Sequence, residues 1–212
     1  MEDRLTMQGK PAPGGWTRMA RALHWGMALA IAVEVPAGFI MGWTYAAKPM
    51  GHAPQHILAS QVHHTLGMLL LLAVVVRLGW RIGHRAPDLP VGTPPVSALG
   101  SRVVQVLLYA LMFIVPLAGW AALSSLAAGA GYPAPPMWFF GHDGFGPGGL
   151  IPHIVPPVAW NAPTLFKYGF FGKMHVWGLI AGGVLLGLHV AGALWHQFVR
   201  RDGLIARMWR GQ

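Results

Sequence analysis

The chain has 212 residues, of which 54% are hydrophobic and only 10% are charged, and its mean hydropathy is +0.48. Soluble domains carry about 25% charged residues, so this composition argues against a disordered chain and against an ordinary cytosolic enzyme. The net charge of +9 would suit a nucleic-acid partner, but basic residues concentrated in cytoplasmic loops explain it better in so apolar a chain. The absence of cysteine excludes disulfides, iron–sulfur clusters, thiolate zinc sites and covalent c-type haem attachment.

Four stretches of the sequence are long and apolar enough to cross a bilayer as helices, which takes roughly 20 residues. They cover about residues 20–43, 62–82, 102–123 and 174–199. The first stretch is too long for the apolar part of a cleaved signal peptide, and it contains His24 and Glu34. We therefore predict one all-α integral membrane domain over residues 1–212, a bundle of four transmembrane helices.

The basic residues predict how these helices are oriented. Twelve of the 15 Lys and Arg residues lie before the first span or at its start, in or beside the segment between spans two and three, or after the fourth span. Lys48, Lys167 and Lys173 are the other three. The positive-inside rule then puts both termini in the cytoplasm and makes residues 124–173 a long periplasmic loop. We interpret this loop as a cap on the outer face, and an unstructured connector fits residues 142–152 equally well.

Histidines within the spans fall at matching depths. His175 and His189 are 14 residues apart, which is roughly 21 Å of helical rise and a rotation only about 40° short of whole turns. Both therefore face one side of the fourth helix. The predicted orientation puts His24 at the depth of His189 and His63 at the depth of His175. Each pair offers two imidazole nitrogens to one iron, which predicts two bis-histidine b haems stacked across the membrane.

Several residues near these histidines have two interpretations. His64 points about 100° away from His63, so only one of them faces the bundle, and we choose His63 because Gly67 is one turn away on its face. Arg77 shares that face at the depth of the inner pair, where it binds a haem propionate or a quinone headgroup, or simply anchors the helix on the cytoplasmic side. His196 contacts a propionate or has a simple interfacial role.

Three further features stay open at the level of sequence. Gly178 and Gly182 either let a flat macrocycle approach the fourth helix or form a small-xxx-small pair for helix packing. Glu34, the only carboxylate within a span, relays protons, faces a water-filled pocket or satisfies backbone groups freed by Pro36. Copper or zinc would need ligands beyond paired imidazoles, of a type that the sequence does not show.

Several short segments carry a family resemblance. They are residues 21–25 (RALHW), 63–67 (HHTLG), 77–81 (RLGWR), 175–177 (HVW), 188–189 (LH) and 201–208 (RDGLIARM). Together they resemble the bacterial cytochrome b561 family, the di-haem four-helix membrane cytochromes related to hydrogenase b subunits. The resemblance covers about residues 16–123 and 173–208, whereas the loop at 142–172 looks longer than is usual in that family.

The resemblance implies electron transfer between the outer face of a bacterial inner membrane and its quinone pool. Four-helix members of the family are superoxide oxidases, so the leading expectation is a superoxide:ubiquinone oxidoreductase with two haem b and ubiquinone as the electron acceptor. Lys173, Lys48 and Lys167 are then candidate cations to attract superoxide, although loop solubility explains them equally well. Arg21, Arg77 and the inner loop are the candidate places for the quinone.

Two other functions remain open. One is a cytochrome b subunit that passes electrons between a hydrogenase or dehydrogenase partner and quinone, which the enlarged outer loop mildly favours. The other is a haem-free transporter or assembly factor, which predicts no iron chromophore in the purified protein.

Overall fold

The computed structural model describes residues 14–47, 51–90, 92–126, 138–139, 142–145 and 151–211. Four long helices make up most of it, namely α1 (Arg18–Thr44), α2 (Pro54–Gly83), α3 (Pro95–Ser124) and α4 (Tyr168–Trp195). All four are long and apolar enough to cross a membrane. The predicted all-α bundle of four membrane-spanning helices is therefore confirmed.

Three of the helices begin well before the apolar spans that the sequence marks. α2 begins at Pro54, α3 at Pro95 and α4 at Tyr168. Hydropathy marks only the part of a helix that lies in the bilayer core. The helix itself can begin earlier, at a residue that suits its first turn. Proline suits the first turn of α2 and α3 because it lacks an N–H that the helix would leave unpaired. The bundle is thus taller than its apolar core.

The chain turns back under the bundle after α4. The helix continues into a π-helical turn at His196–Arg200, and the next residue, Arg201, adopts a left-handed conformation with φ of 54°. Gly203 is also left-handed, with φ of 73°, and a short helix, α5 (Leu204–Trp209), follows. We call the end of the bundle that carries α5 the tail end and the opposite end the loop end.

The tail is fastened to the bundle by hydrogen bonds from long side chains. Trp25 of α1 donates through Nε1 to the Met208 carbonyl oxygen at 3.1 Å. Arg207 donates to the Asp88 carbonyl oxygen at 2.7 Å, beyond the end of α2. The start of α1, the end of α2 and the C-terminal tail therefore meet at one end of the bundle.

The helices pack as two pairs. α1 lies mainly along α2 and α3 mainly along α4, while α2 and α3 meet over a smaller area. Met27, Leu70 and Val74 are the buried centre of the contact between α1, α2 and α3. Most large apolar side chains instead point outward and are exposed, which suits a surface that lipid covers.

At the loop end, part of the segment between α3 and α4 docks onto the end of α3. Trp120 donates through Nε1 to the Pro152 carbonyl oxygen at 2.9 Å, and the backbone N–H of Val158 donates to the Ser125 carbonyl oxygen at 3.0 Å. Two two-residue strands, β1 (Trp138–Phe139) and β2 (His142–Asp143), pair antiparallel within the same segment. These contacts fit the predicted cap for the described part of the loop.

Candidate functional site

Histidines from three helices meet in two pairs at different depths of the bundle. At the tail end, His24 of α1 faces His189 of α4 with 6.2 Å between the ring centroids and 72° between the ring planes. At the loop end, His63 of α2 faces His175 of α4 with 5.9 Å between the centroids and 85° between the planes. The structure thus brings together the two pairs that the sequence predicts.

The spacing of the rings fits a metal held between them. An imidazole nitrogen binds a metal at about 2 Å, so two rings on opposite sides of one metal have centroids about 6 Å apart. Both pairs match this spacing. Within the described residues there is no cluster of three or more His, Cys, Asp or Glu side chains that would suit an ordinary metal site. Two protein ligands with the remaining positions filled by a macrocycle suit this geometry instead.

The backbone of α3 fixes the orientation of His175. Its Nδ1 donates to the Val115 carbonyl oxygen at 2.8 Å. A carbonyl oxygen only accepts, so Nδ1 carries the proton and Nε2 keeps its lone pair for a metal. Gly119 makes room for the ring, since a Cβ at that position would lie 3.0 Å from Nδ1 of His175.

His63 is fixed in a related way by α1. Its Nδ1 lies 3.0 Å from Oε1 of Glu34 and 3.4 Å from the carbonyl oxygen of the same residue. Gly38 makes room for this ring, because a Cβ there would lie 2.9 Å from Cε1 of His63. Both of these oxygens lie on the Nδ1 side of the ring, so Nε2 is again left for a metal.

The two loop-end imidazoles share one local arrangement. Each ring meets a backbone carbonyl and the glycine four residues later, at Glu34 and Gly38 in α1 and at Val115 and Gly119 in α3. A proline lies between carbonyl and glycine in both helices, where it interrupts the regular hydrogen-bond ladder. Neither glycine was predicted from the sequence, although a proline followed within three residues by glycine in a spanning helix is a usable signal.

The tail-end pair has an arginine and a tryptophan as neighbours. Arg77 is near enough to His24 and His189 for its charge to act on both. Its Nε donates to the Tyr109 hydroxyl oxygen at 2.8 Å. Trp25 packs against His24 with 5.1 Å between ring centroids and connects it to the tail.

Two arginines at the tail end have buried nitrogens without a hydrogen-bond partner in the described part of the chain. Arg21 donates through Nη1 to the Trp209 carbonyl oxygen at 2.7 Å, but its Nε has no acceptor. Arg81 lies over the Trp16 ring at 4.8 Å, and its Nη1 has no acceptor either. A buried cationic N–H without an acceptor is costly, so both groups fit an anion at this end of the bundle.

His196 is engaged by the tail. Its Nδ1 lies 2.5 Å from Oδ2 of Asp202, and Nε of Arg200 lies 3.3 Å from the same oxygen. Burial raises the pKa of Asp202, but the hydrogen bonds from His196 and the Leu204 N–H, with the charge of Arg200, outweigh it and lower this pKa below its usual value. Through Nδ1, His196 therefore helps to hold the turn between α4 and α5.

The predicted guidance cations differ in their surroundings. Lys173 is exposed on α4, two residues before His175. Lys167 is partly buried and donates through Nζ to the Ala162 carbonyl oxygen at 2.9 Å. Lys48 lies outside the described residues. Of these three lysines, Lys173 thus combines exposure with closeness along the chain to a paired histidine.

The structure also bears on the glycines of α4 and on His64. A Cβ at Gly178 would lie 2.7 Å from Cγ2 of Val115, which favours close packing of α3 on α4 as the role of this glycine. A Cβ at Gly182 would make an ordinary 3.8 Å contact with Leu111. His64 lies beside His63, with 5.9 Å between centroids, while the contact with His175 is made by His63.

Four membrane-length helices around two facing pairs of imidazoles define a class, the integral membrane proteins whose fold suits metal macrocycles held by histidine. The family model described as prokaryotic cytochrome b561 matches residues 15–211, so the chain belongs to the prokaryotic cytochrome b561 family. It is accordingly a multi-pass bacterial membrane protein with b-type haem and a role in electron transfer. A search of curated proteins found no match.

Proposed function

We propose that the protein binds two haems b and carries electrons from superoxide on one side of the membrane to ubiquinone. Two observations support the two haem sites most directly. His24 faces His189 with 6.2 Å between ring centroids, and His63 faces His175 with 5.9 Å between them. Because His175 and His189 are 14 residues apart on one helix, the pairs are separated by roughly 21 Å along it. That separation spans much of a bilayer core of ~30 Å.

The protein's contribution is to hold and tune the two haems, which supply one-electron transfer when bound. His24 and His189 would ligate one iron, and His63 and His175 the other. At the loop end, the hydrogen bonds on Nδ1 hold both rings with Nε2 free. Arg77 places a positive charge near the tail-end pair, which favours the reduced state of a group bound there.

The tail end offers partners for the propionates of a haem. The buried Nε of Arg21 and the buried Nη1 of Arg81 lack acceptors in the described chain, and a carboxylate is the acceptor that guanidinium groups match best. We assign the quinone to this same end, beside Arg21 and Arg77. We assign His196 to the support of the tail, through its contact with Asp202.

The distribution of basic residues supports a cytoplasmic position for the tail end. The described tail-end segments contain Arg81, Arg85, Arg200, Arg201, Arg207 and Arg210 among others. By the positive-inside rule, this end is cytoplasmic and the loop end is periplasmic. The chain is then one domain of the inner membrane, with both termini in the cytoplasm.

Superoxide is the proposed donor because the loop end presents an exposed cation close along the chain to one of its paired histidines. Lys173 is exposed and two residues before His175, so it attracts a small anion towards that pair. In the balanced reaction, two superoxide ions each lose one electron and become dioxygen. One ubiquinone takes up the two electrons and two protons and becomes ubiquinol.

Haem analysis and rapid mixing test this proposal in two stages. A reduced-minus-oxidised spectrum with haem quantitation should give two b haems per chain, and a haem-free preparation from haem-replete cells would refute it. Superoxide should then reduce the purified protein without any partner protein, and added ubiquinone should reoxidise it. A di-haem protein that superoxide leaves oxidised would refute the oxidase activity alone.

Lys173→Gln tests the guidance role of the loop-end cation. We expect slower reduction by superoxide and a weaker dependence of that rate on ionic strength, because a steering charge is screened by salt. Lys167→Gln is the matched control, since its Nζ is held by a carbonyl oxygen, and should have the smaller effect. Equal rates for wild type and Lys173→Gln would remove this residue from the mechanism.

A second candidate function is electron transfer to or from a partner enzyme such as a hydrogenase or dehydrogenase. The docked loop supports it, since the bonds at Trp120, Ser125 and Val158 build a surface over the end of α3. This alternative predicts that haem reduction requires the partner. The rapid-mixing experiment without a partner therefore separates the two functions.

A further inference from the structure

Glu34 is an acidic residue in the middle of α1, within the part of the helix that crosses the membrane. An ionisable side chain is costly at such a depth and is retained where it has a specific partner. The Glu34 side chain is only 13% exposed. One of its oxygens, Oε2, is buried without a hydrogen-bond partner in the described chain, so the position is not explained by solvation.

The other carboxyl oxygen of Glu34 faces His63. Oε1 lies 3.0 Å from Nδ1 of His63, within the distance of a good hydrogen bond. Gly67, one turn after His63 on α2, makes room for this oxygen, since a Cβ at Gly67 would lie 3.2 Å from Oε1. Glu34 on α1 thus puts a carboxyl oxygen beside Nδ1 of His63 on α2, in the space that Gly67 leaves.

The opposite ring of the same pair has a different partner. Nδ1 of His175 donates to the Val115 carbonyl oxygen at 2.8 Å, and that oxygen belongs to a neutral peptide group. The two rings at the loop end are therefore unequal, because only His63 has a carboxyl group on Nδ1. A carboxyl oxygen that accepts from Nδ1–H polarises the imidazole and makes it a stronger electron donor through Nε2.

We propose that Glu34 is a positioning residue that fixes the Nδ1–H tautomer of His63 and lowers the reduction potential of the haem bound at the loop end. The inference rests on the proposed function, because it requires His63 to ligate iron. A more basic ligand stabilises the oxidised iron more than the reduced iron, so the potential falls. Glu34 thus gives the loop-end site a lower potential than its two imidazoles alone would set.

Redox titration of the purified holoprotein tests this role. In Glu34→Gln, an amide of nearly the same size replaces the carboxyl group. We expect both haems to be retained, the potential of one haem to rise and the potential of the other to stay at the wild-type value. The haem that shifts should be the one that His63→Ala removes. Glu34→Gln with two haems and two unchanged potentials would overturn the proposal.

Two glycine variants provide a graded test that keeps the carboxyl group. In Gly67→Ala, the added Cβ displaces Oε1 of Glu34, so the same haem should shift in the same direction by a smaller amount. Gly79→Ala is the matched control on α2, because a Cβ there meets nothing within 4 Å. If Glu34→Gln does not accumulate, Gly67→Ala decides, since an unchanged potential in that variant also overturns the proposal.

The titrations separate a failure of this inference from a failure of the proposed function. Retention of both haems in His63→Ala would show that His63 is not a ligand and would refute the ligand assignment itself. Loss of one haem in His63→Ala, with no shift in Glu34→Gln, would refute only the role of Glu34. Electron paramagnetic resonance of the oxidised protein adds an independent readout, because it reports the ligand field of each iron separately.

Discussion

At the loop end, both paired imidazoles are held through Nδ1 by the neighbouring helices. At the tail end, the charge of Arg77 acts on the pair, and Trp25 packs on His24 and bonds to the C-terminal tail. The loop-end rings are therefore oriented by hydrogen bonds on Nδ1 and by the space that Gly38 and Gly119 leave, before anything binds. The tail-end site instead has a nearby positive charge and, through Trp25, a connection to a segment distant in sequence. Two sites of similar ring spacing thus offer different means of setting a reduction potential.

Removal of single histidines should give the largest effect and tests whether there are two separate sites. We expect His63→Ala or His175→Ala to lower the haem content from two to one per chain and to spare the tail-end haem. His24→Ala or His189→Ala should do the converse. His64→Ala is the control from the same helix turn as His63 and should keep both haems. Full haem content in any of the four paired variants would contradict the pairing.

The glycine cradles should give the next largest effect, confined to the loop end. Gly119→Ala places a Cβ 3.0 Å from Nδ1 of His175, and Gly38→Ala places one 2.9 Å from Cε1 of His63. Overpacking of this kind costs about 1–3 kcal/mol, so loop-end haem occupancy should fall. Gly100→Ala and Gly42→Ala are controls on the same two helices, because a Cβ at either position meets nothing within 4 Å. Equal haem retention in cradle and control variants would show that the cradles do not matter.

Arg77→Gln should lower the reduction potential of the tail-end haem, whereas Glu34→Gln should raise that of the loop-end haem. Loss of a positive charge near His24 and His189 destabilises the reduced state by on the order of 1 kcal/mol, so the potential of the tail-end haem should fall. The loop-end haem should keep its potential. Tyr109→Phe, which removes only the hydroxyl bonded to Arg77, should have a smaller effect. A shift of both haems by the same amount would argue against a local action of Arg77.

The Asp202 contacts should give the smallest effect, on stability at low pH. Because the pKa of Asp202 is lowered in the folded protein, its carboxylate stabilises the fold above the unfolded-state pKa. That stabilisation is lost as the pH falls through the folded-state pKa. Asp202→Asn should lower Tm at neutral pH and reduce the loss of Tm on acidification. A wild-type pH dependence in the variant would show that these contacts do not support the tail.

Much of the site was predictable because its main spacing lies within one helix. His175 and His189 are on α4, so helical geometry alone gives their separation and shared face. Their partners, His63 and His24, could be predicted once the orientation of each span was known. The positions of the basic residues gave that orientation. The four helices followed from hydropathy, although α2 begins at Pro54 because hydropathy does not report where a helix continues beyond the bilayer core.

The contacts across helices were not predictable from the sequence. Which face of α1 turns towards α2 depends on side-chain packing over the whole interface, so neither the contact of Glu34 with His63 nor the place of Gly38 followed from spacing. His196 was expected near a propionate or an interface, but the π-helical turn and the left-handed Arg201 bring Asp202 back to its ring. A periodicity argument assumes a regular helix and does not foresee such a turn.

Each histidine pair joins one residue of the first helical hairpin to one residue of α4. His24 of α1 pairs with His189, and His63 of α2 pairs with His175. In the order of synthesis, α4 is the last of the four helices to leave the ribosome and enter the membrane. Neither pair exists before that moment, so both cofactors must be inserted after translation of all four helices. Each cofactor would then cross-link the first hairpin to the second, and cells short of haem should accumulate a chain whose halves separate more readily.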